Sequence, residues 1–243
     1  MTQTLTFRYI FSVFLCLGIL ISGLPTWAKT RYWPTSVQLG VDVSCPVYYK
    51  YYWRNGTQYE LNTSMDFSSF ILEGDYGGGN IRWEGYNKKT SILSSYTSDG
   101  RYLRIGLNYN VLQDTPDKNM AFLGFQYARS FFKDHLVNKV KYHYSDTGDG
   151  LIANGGPSID SKQNNVKARW FEAVAGVKVK VWKLLYVGST IRYKFGLRLK
   201  DADFHIPYDV LGWGLNDGEE SFGFNLYLSL RIPFVHDTPP SSP

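Results

Sequence analysis

From residue 36 to residue 232 the sequence keeps returning to a two-residue period. Val37, Leu39, Val41 and Val43 alternate with Gln38, Gly40, Asp42 and Ser44, so one face of this stretch is apolar and the other polar. The pattern recurs clearly over 103–111, 185–198 and 222–232, and more noisily over 60–67, 70–76, 121–130 and 171–180. Successive side chains of a strand point to opposite faces, so these stretches predict eight strands and no amphipathic helix. The clear ones run 9 to 14 residues. That exceeds the roughly 5–6 usual in soluble sheets and suits a tilted bilayer crossing.

Two further features bear on the solvent. The polar face is rich in Gly, Ser, Asn and charges of both signs rather than in the long Lys and Glu side chains of an open, solvated surface. The connections also alternate in length: 45–59, 68–69, 77–100, 112–120, 131–170, 181–184 and 199–221. Long links on one side and short turns on the other are characteristic of outer-membrane barrels. In lipid every backbone N–H and C=O must be paired, so such a sheet has to close on itself. The expected fold is therefore an all-β, eight-stranded antiparallel transmembrane β-barrel of the OmpA-like type. The 131–170 link is expected to prolong its flanking hairpin as a two-stranded ribbon above the membrane.

The first 28 residues read as a signal peptide. Arg8 is followed by an apolar run over 9–21, the breakers Gly23 and Pro25, and Thr26-Trp27-Ala28 as a cleavage site. That run is short against the roughly 20 residues a spanning helix needs. The expected organisation is a signal peptide at 1–28, a periplasmic lead at 29–35, the barrel at 36–234 and a periplasmic tail at 235–243. The location is the bacterial outer membrane, with both termini periplasmic and the long loops extracellular. Cleavage would leave Cys45 as the single thiol, which excludes an intramolecular disulfide. The formal net charge of +5 is too mild for a dedicated nucleic-acid binder. Aromatic residues reach 17%, and belts are expected from Tyr109, Trp182, Tyr186 and Phe234 at the periplasmic end and from Tyr59, Tyr76, Tyr102, Tyr127 and Tyr193 toward the outer half.

The inward face carries Asp42, Glu60, Asp66, Glu73, Asp75 and Glu172 against Arg104, Lys178, Lys180, Arg192, Lys194, Arg198 and Arg231. Eight strands leave an interior that side chains can fill. The expectation is a plugged lumen of paired charges, with Tyr227, Trp170 and Phe122 filling the remainder, rather than a pore. The histidines are His135, His143, His205 and His236, and nothing in the sequence ties them to a serine and an acid at nucleophile–base spacing. No enzyme, cofactor or small-molecule substrate is expected. No metal is expected either, because residues 145–149 lack the alternating acids of a calcium loop. The Gly-rich stretch 148–157 follows no strand–helix unit, which excludes a phosphate cradle. The expected partners are outer-membrane lipid and an outer-membrane or periplasmic protein, met through Ile206, Pro207, Val210, Leu211 and Trp213 of the last loop. The functional expectation is a structural or adaptor role, as an accessory component of an envelope complex. The alternatives are a lipid-modifying enzyme and a small pore.

Several segments carry a resemblance: Ser36-Val37-Gln38-Leu39-Gly40-Val41-Asp42, the stretch 100–110 (Gly100-Arg101-Tyr102 through Asn108-Tyr109-Asn110), Trp170-Phe171-Glu172-Ala173, the run 176–183, Arg192-Tyr193-Lys194-Phe195 and Arg231-Ile232-Pro233-Phe234. Over about residues 35–234 the chain resembles the DUF6048 family, small outer-membrane β-barrels of unknown function from Bacteroidota. The resemblance implies fold and location and carries no catalytic residues. Phe234 matches the terminal aromatic on which outer-membrane barrels often end, but here 235–243 follow it.

Overall fold

The computed structural model describes residues 33–44, 55–67, 69–87, 92–112, 115–140, 143–144, 151–152 and 159–234. The expected signal peptide, Cys45 and the tail at 235–243 lie outside the described residues. Eight strands form the wall: β1 (Ser36–Asp42), β2 (Asn55–Asp66), β3 (Phe70–Asn87), β4 (Ile92–Asn110), β5 (Met120–Val140), β6 (Ile159–Trp182), β7 (Leu185–Lys200) and β8 (Glu220–Pro233). Each pairs antiparallel with its sequence neighbours, and β1 pairs with β8 to close the ring. The closing seam runs from Ser36↔Pro233 to Asp42↔Tyr227. Phe234 N–H donates to Thr35 O at 2.9 Å, and Thr35 N–H donates to Asp66 O at 2.7 Å, continuing the pairing past the strand ends. A closed meander has no free edge.

Alternation along the wall follows the two-residue period. On β8, Phe222, Phe224, Leu228, Leu230 and Ile232 are exposed, whereas Asn225, Tyr227, Ser229 and Arg231 are buried. The apolar stripe from Phe222 to Ile232 spans ten residue steps, about 33 Å along the strand and about 25 Å in height at a tilt of about 40°. Leu103, Ile105 and Leu107 on β4 and Val177 and Val179 on β6 continue this exposed band. Of the expected aromatic belts, Tyr102 and Tyr186 instead point inward and are 2% and 3% exposed.

The strands outrun the sequence-based segments at the loop end. β3 and β4 pair as far as Asn87↔Ile92, so most of the expected 77–100 loop is strand. Gly77, Gly78 and Gly79 stand within the wall, where a Cβ on Gly77 would come 2.2 Å from Cζ of Tyr102. β5 and β6 pair up to Asn138↔Ile159, forming the expected ribbon.

Two irregularities interrupt the register, and the first reverses the alternation. Between Arg169/Phe171 and their partners Arg198/Phe195 the register shifts, leaving Trp170 opposite two residues. Gly196 takes φ +70°, the left-handed conformation that such a bulge requires. Beyond it Leu197 and Leu199 turn inward, against the buried cluster, and Arg198 turns outward. A second shift lies between Lys180 and Trp182. There Lys180 is exposed, with its ammonium 3.5 Å from Asp117. Arg198 is therefore outside the lumen, contrary to the inward position that strict alternation assigns it, whereas Lys180 keeps the phase of Lys178, opposite the inward Tyr186, and is exposed because it stands at the short-turn mouth.

Candidate functional site

The barrel interior is a layered polar core. Near the short-turn end Arg231 donates to Asp66 at 3.0 Å and to Ser36 Oγ at 2.8 Å. A small apolar layer of Ile71, Met120, Phe122 and Val174 follows. Above it the Lys178 ammonium donates to Glu73 (3.2 Å), Ser64 (3.1 Å) and Asn62 (3.2 Å). It also stands 5.7 Å from the centre of the Phe122 ring.

The middle layer is built around Arg192, which is fully buried. Its Nε donates to Asn225 Oδ1 (2.9 Å); Nη1 donates to Gln126 Oε1 (2.5 Å) and Glu172 Oε2 (3.1 Å); Nη2 donates to Asp75 Oδ2 (2.9 Å) and Tyr227 Oη (2.9 Å). A guanidinium has five N–H donors, and all five are used here. Arg104 donates to Glu60 at 2.6 Å and Glu172 at 3.0 Å. Tyr102 and Tyr227 both give their hydroxyl protons to Glu60, each at 2.5 Å. Asn225 gives a further donor to Asp42 at 2.6 Å. These bonds tie β2 and β3 to β4, β6, β7 and β8 across the barrel axis. Asp42, Glu60, Glu73, Arg104, Glu172, Lys178, Arg192, Lys194 and Arg231 are all buried. With Asp66 and Asp75 the buried lumen holds six acids and five bases, Arg198 lying on the outer wall and Lys180 at the exposed short-turn mouth.

The loop between β7 and β8 closes the upper end. A two-residue ladder, Asp209–Val210 against Gly214–Leu215, makes a tight hairpin. Its tip enters the barrel: Val210, Leu211 and Trp213 are at most 1% exposed and pack with Tyr102, Trp170, Ile81 and Phe132. Gly212 at φ +83° sits with its Cα over the Tyr102 ring. Lys194 donates to Gly212 O (2.8 Å) and Trp213 O (2.9 Å), and Arg104 donates to Gly212 O (3.1 Å). Buried carbonyls need such partners. The expected protein-contact residues are thus redistributed. Val210, Leu211, Trp213 and Pro207 are buried as a plug, whereas Ile206 is exposed together with Phe204 and Tyr208. The apolar residues of this loop serve two opposite surfaces, which a composition-based reading cannot separate. A cavity of about 1350 Å³ adjoins the plug, lined by the buried Glu60, Arg104, Lys194 and Trp213 and the exposed Asp217 and Glu220.

The fold also brings together a serine, a histidine and an acid, contrary to the sequence reading. His205 Nδ1 is 2.8 Å from Ser161 Oγ, and its Nε2 is 3.1 Å from Asp134 Oδ2. Tyr96 Oη, with a single proton, lies 2.9 Å from Asp209 O and 3.2 Å from the same Asp134 oxygen. Gln163 accepts from Phe204 N–H (3.2 Å) and donates to His205 O (2.8 Å). The group fastens the plug loop to β5 and β6. Its members are 44 and 71 residues apart in sequence, so no local motif announces it. Among the described residues, no three or more His, Cys, Asp or Glu side chains are placed to hold a metal.

Similar solved structures are bacterial barrels. CarO of Acinetobacter baumannii is 11% identical over 85% of this chain and 100% of its own, with a TM-score of 0.38. CarO2 of the same organism is 14% identical over 82% and 98%, at 0.41. Ail, the attachment invasion locus protein of Yersinia pestis, is 9% identical over 82% and 97%, at 0.35. At these scores no residue or role is carried across. No curated protein matches the chain. The model described as a domain of unknown function (DUF6048) matches residues 7–237, nearly the full length, and the chain belongs to that family.

Proposed function

We propose that this protein is an outer-membrane barrel with a closed lumen, serving as a structural or adaptor element of the envelope. The observation that carries this reading is its inverted polarity. The exposed wall is an apolar band about 25 Å tall, matching the hydrocarbon height that transmembrane barrels present, and the buried face holds the charges. A water-soluble barrel would distribute them the other way. Both strand termini lie at the short-turn end, which is assigned to the periplasm, with the plugged end outside. Side chains bonded from opposite walls cross the axis, which supports a non-conducting barrel. The exposed Phe204, Ile206 and Tyr208 are the proposed protein contact.

The full-length protein should fractionate with the outer membrane, migrate as a compact species on unboiled gels and give no steady conductance in planar bilayers. Recovery as a soluble periplasmic protein overturns the membrane reading, and sizeable steady conductance overturns the closed lumen. For the adaptor role, a mild-detergent pull-down should retain an envelope partner that F204S/I206S/Y208S loses. Retention by the variant, or no reproducible partner, overturns it.

A second reading, acyl transfer or hydrolysis, is favoured by one observation, the Ser161–His205–Asp134 chain. It is the weaker reading because Ser161 lies well above the apolar band, on the β5–β6 ribbon. His205 also meets the serine through Nδ1 rather than the Nε2 used in serine-hydrolase triads. Release of acyl chains from lipid A by the wild type but not by S161A would establish it.

A further inference from the structure

We propose that Arg129, Arg169 and Arg198, on the outer wall of β5, β6 and β7, form a binding site for the phosphate group of a membrane lipid. This rests on the membrane-spanning reading above. Arg129 is the direct cross-strand partner of Arg169, and Arg169 is the direct partner of Arg198. All three are exposed on the outer face. Directly opposed side chains have their Cβ atoms only about 5 Å apart, and like charges so placed destabilise a sheet. An arrangement of three in a row calls for an anion.

Among the described residues no acid is paired with these arginines: Glu220, on the outer face of β8 opposite Phe195, is hydrogen-bonded to Tyr193. Asp201, the nearest acid in the chain beyond β7, accepts from Lys167 at 2.8 Å. That bond holds its carboxyl below the usual carboxylate range. Asp160 meets His135 at 2.6 Å, and Asp99 meets Lys133 at 3.8 Å. Among the described residues, no ion pair is formed by any of the three arginines. Arg129 lies with its guanidinium 4.8 Å from the centre of the Phe131 ring. Stacking of that kind leaves the in-plane N–H donors directed sideways, free for a phosphate oxygen.

The position of the row identifies the ligand as a lipid. One side-chain step down the same three strands, about 7 Å along them, stand Tyr127, Phe171 and Phe195, again as direct partners. Their rings are in contact, at 5.6 Å for Tyr127–Phe171 and 6.2 Å for Phe171–Phe195. This aromatic row is the top of the apolar band, the depth at which amphipathic rings meet headgroups. An amphiphile lying on those rings would bring its phosphate to the arginines, whereas a soluble anion would use only the upper half of the site. All three cations are arginines, whose forked donors suit phosphate better than an ammonium does. The fold also commits an irregularity to the row, because without the bulge at Gly196 strict alternation would turn Arg198 into the lumen.

The test uses the full-length protein in phosphatidylcholine nanodiscs containing a minor fraction of bis-phosphorylated lipid A, or the same lipid after phosphatase treatment. Retained lipid is read by native mass spectrometry. The wild type should retain the phosphorylated form on the order of tenfold more than the dephosphorylated one. R129Q/R169Q/R198Q should insert equally well and lose that preference, while K133Q/K162Q, lacking two cations farther up the wall, should keep it. If the triple variant fails to fold, R169Q at the centre of the row should still show a reduced preference. Insertion of the wild type without preference overturns the site, and so does equal loss in K133Q/K162Q. Displacement by millimolar inorganic phosphate would mark a soluble-anion site and overturn the lipid. Failure of the wild type to enter the nanodisc overturns the membrane reading and the lipid site together.

Discussion

Replacing Arg192 with Met removes the one side chain that bonds five others in the middle of the barrel. The loss is not the sum of five hydrogen bonds, because most of the acceptors keep another partner. Glu172 retains Arg104 at 3.0 Å and Trp170 Nε1 at 2.7 Å. Tyr227 retains Glu60 at 2.5 Å. Asp75 is the group left exposed to the change: among the described residues it keeps the Asn62 amide at 2.6 Å, with the Arg104 guanidinium as far as 3.9 Å. Leaving one buried charge without its partner costs about 3–5 kcal/mol, so R192M should lower unfolding free energy by about that amount. Removing the stranded charge as well, in R192M/D75N, should recover about half. The assay is guanidinium unfolding of the protein refolded in lipid, followed by fluorescence of the buried Trp170 and Trp213 and by heat-modifiable migration. A loss below about 1 kcal/mol for R192M would refute the claim that Arg192 holds a desolvated charge. A double variant no more stable than the single would refute the assignment of the penalty to Asp75.

Three further outcomes are expected. I191R places a cation on the exposed wall of β7 and should reduce the folded fraction in bilayers, at roughly 2–4 kcal/mol near the midplane; normal folding yield in lipid would contradict the inside–outside assignment. G212A introduces a Cβ 2.7 Å from the Tyr102 ring at a positive φ, at a cost of roughly 1–3 kcal/mol, and should raise acrylamide quenching of Trp213 while leaving barrel migration intact. H205A cuts the link between the plug loop and β5–β6, so limited proteolysis within 201–219 should accelerate severalfold while the heat-modifiability of the barrel is unchanged; protection equal to the wild type would show that the loop is held by its apolar tip alone.

What the chain's own sequence determines follows from the geometry of a strand. Side chains alternate with a period of two whatever the partner strand is, so the eight strands and the inward position of Glu60, Arg104, Glu172 and Arg192 can be read directly from local pattern. Closure also follows, because paired backbone and an even strand count leave one consistent arrangement. The bulge at Gly196, the plug and the Ser161–His205–Asp134 group lie beyond local pattern. A bulge depends on which residue of the neighbouring strand takes up two partners, and one such shift moves Arg198 from the lumen to the outer wall. The apolar tip of the last loop finds its place against the Tyr102 ring, which itself lies where a Cβ on Gly77 would stand. Residues as far apart as Asp134 and His205 are neighbours because the plug loop folds back over β5 and β6. Alternation is a property of each strand, but contact is a property of the pairs, and only the folded barrel decides the pairs.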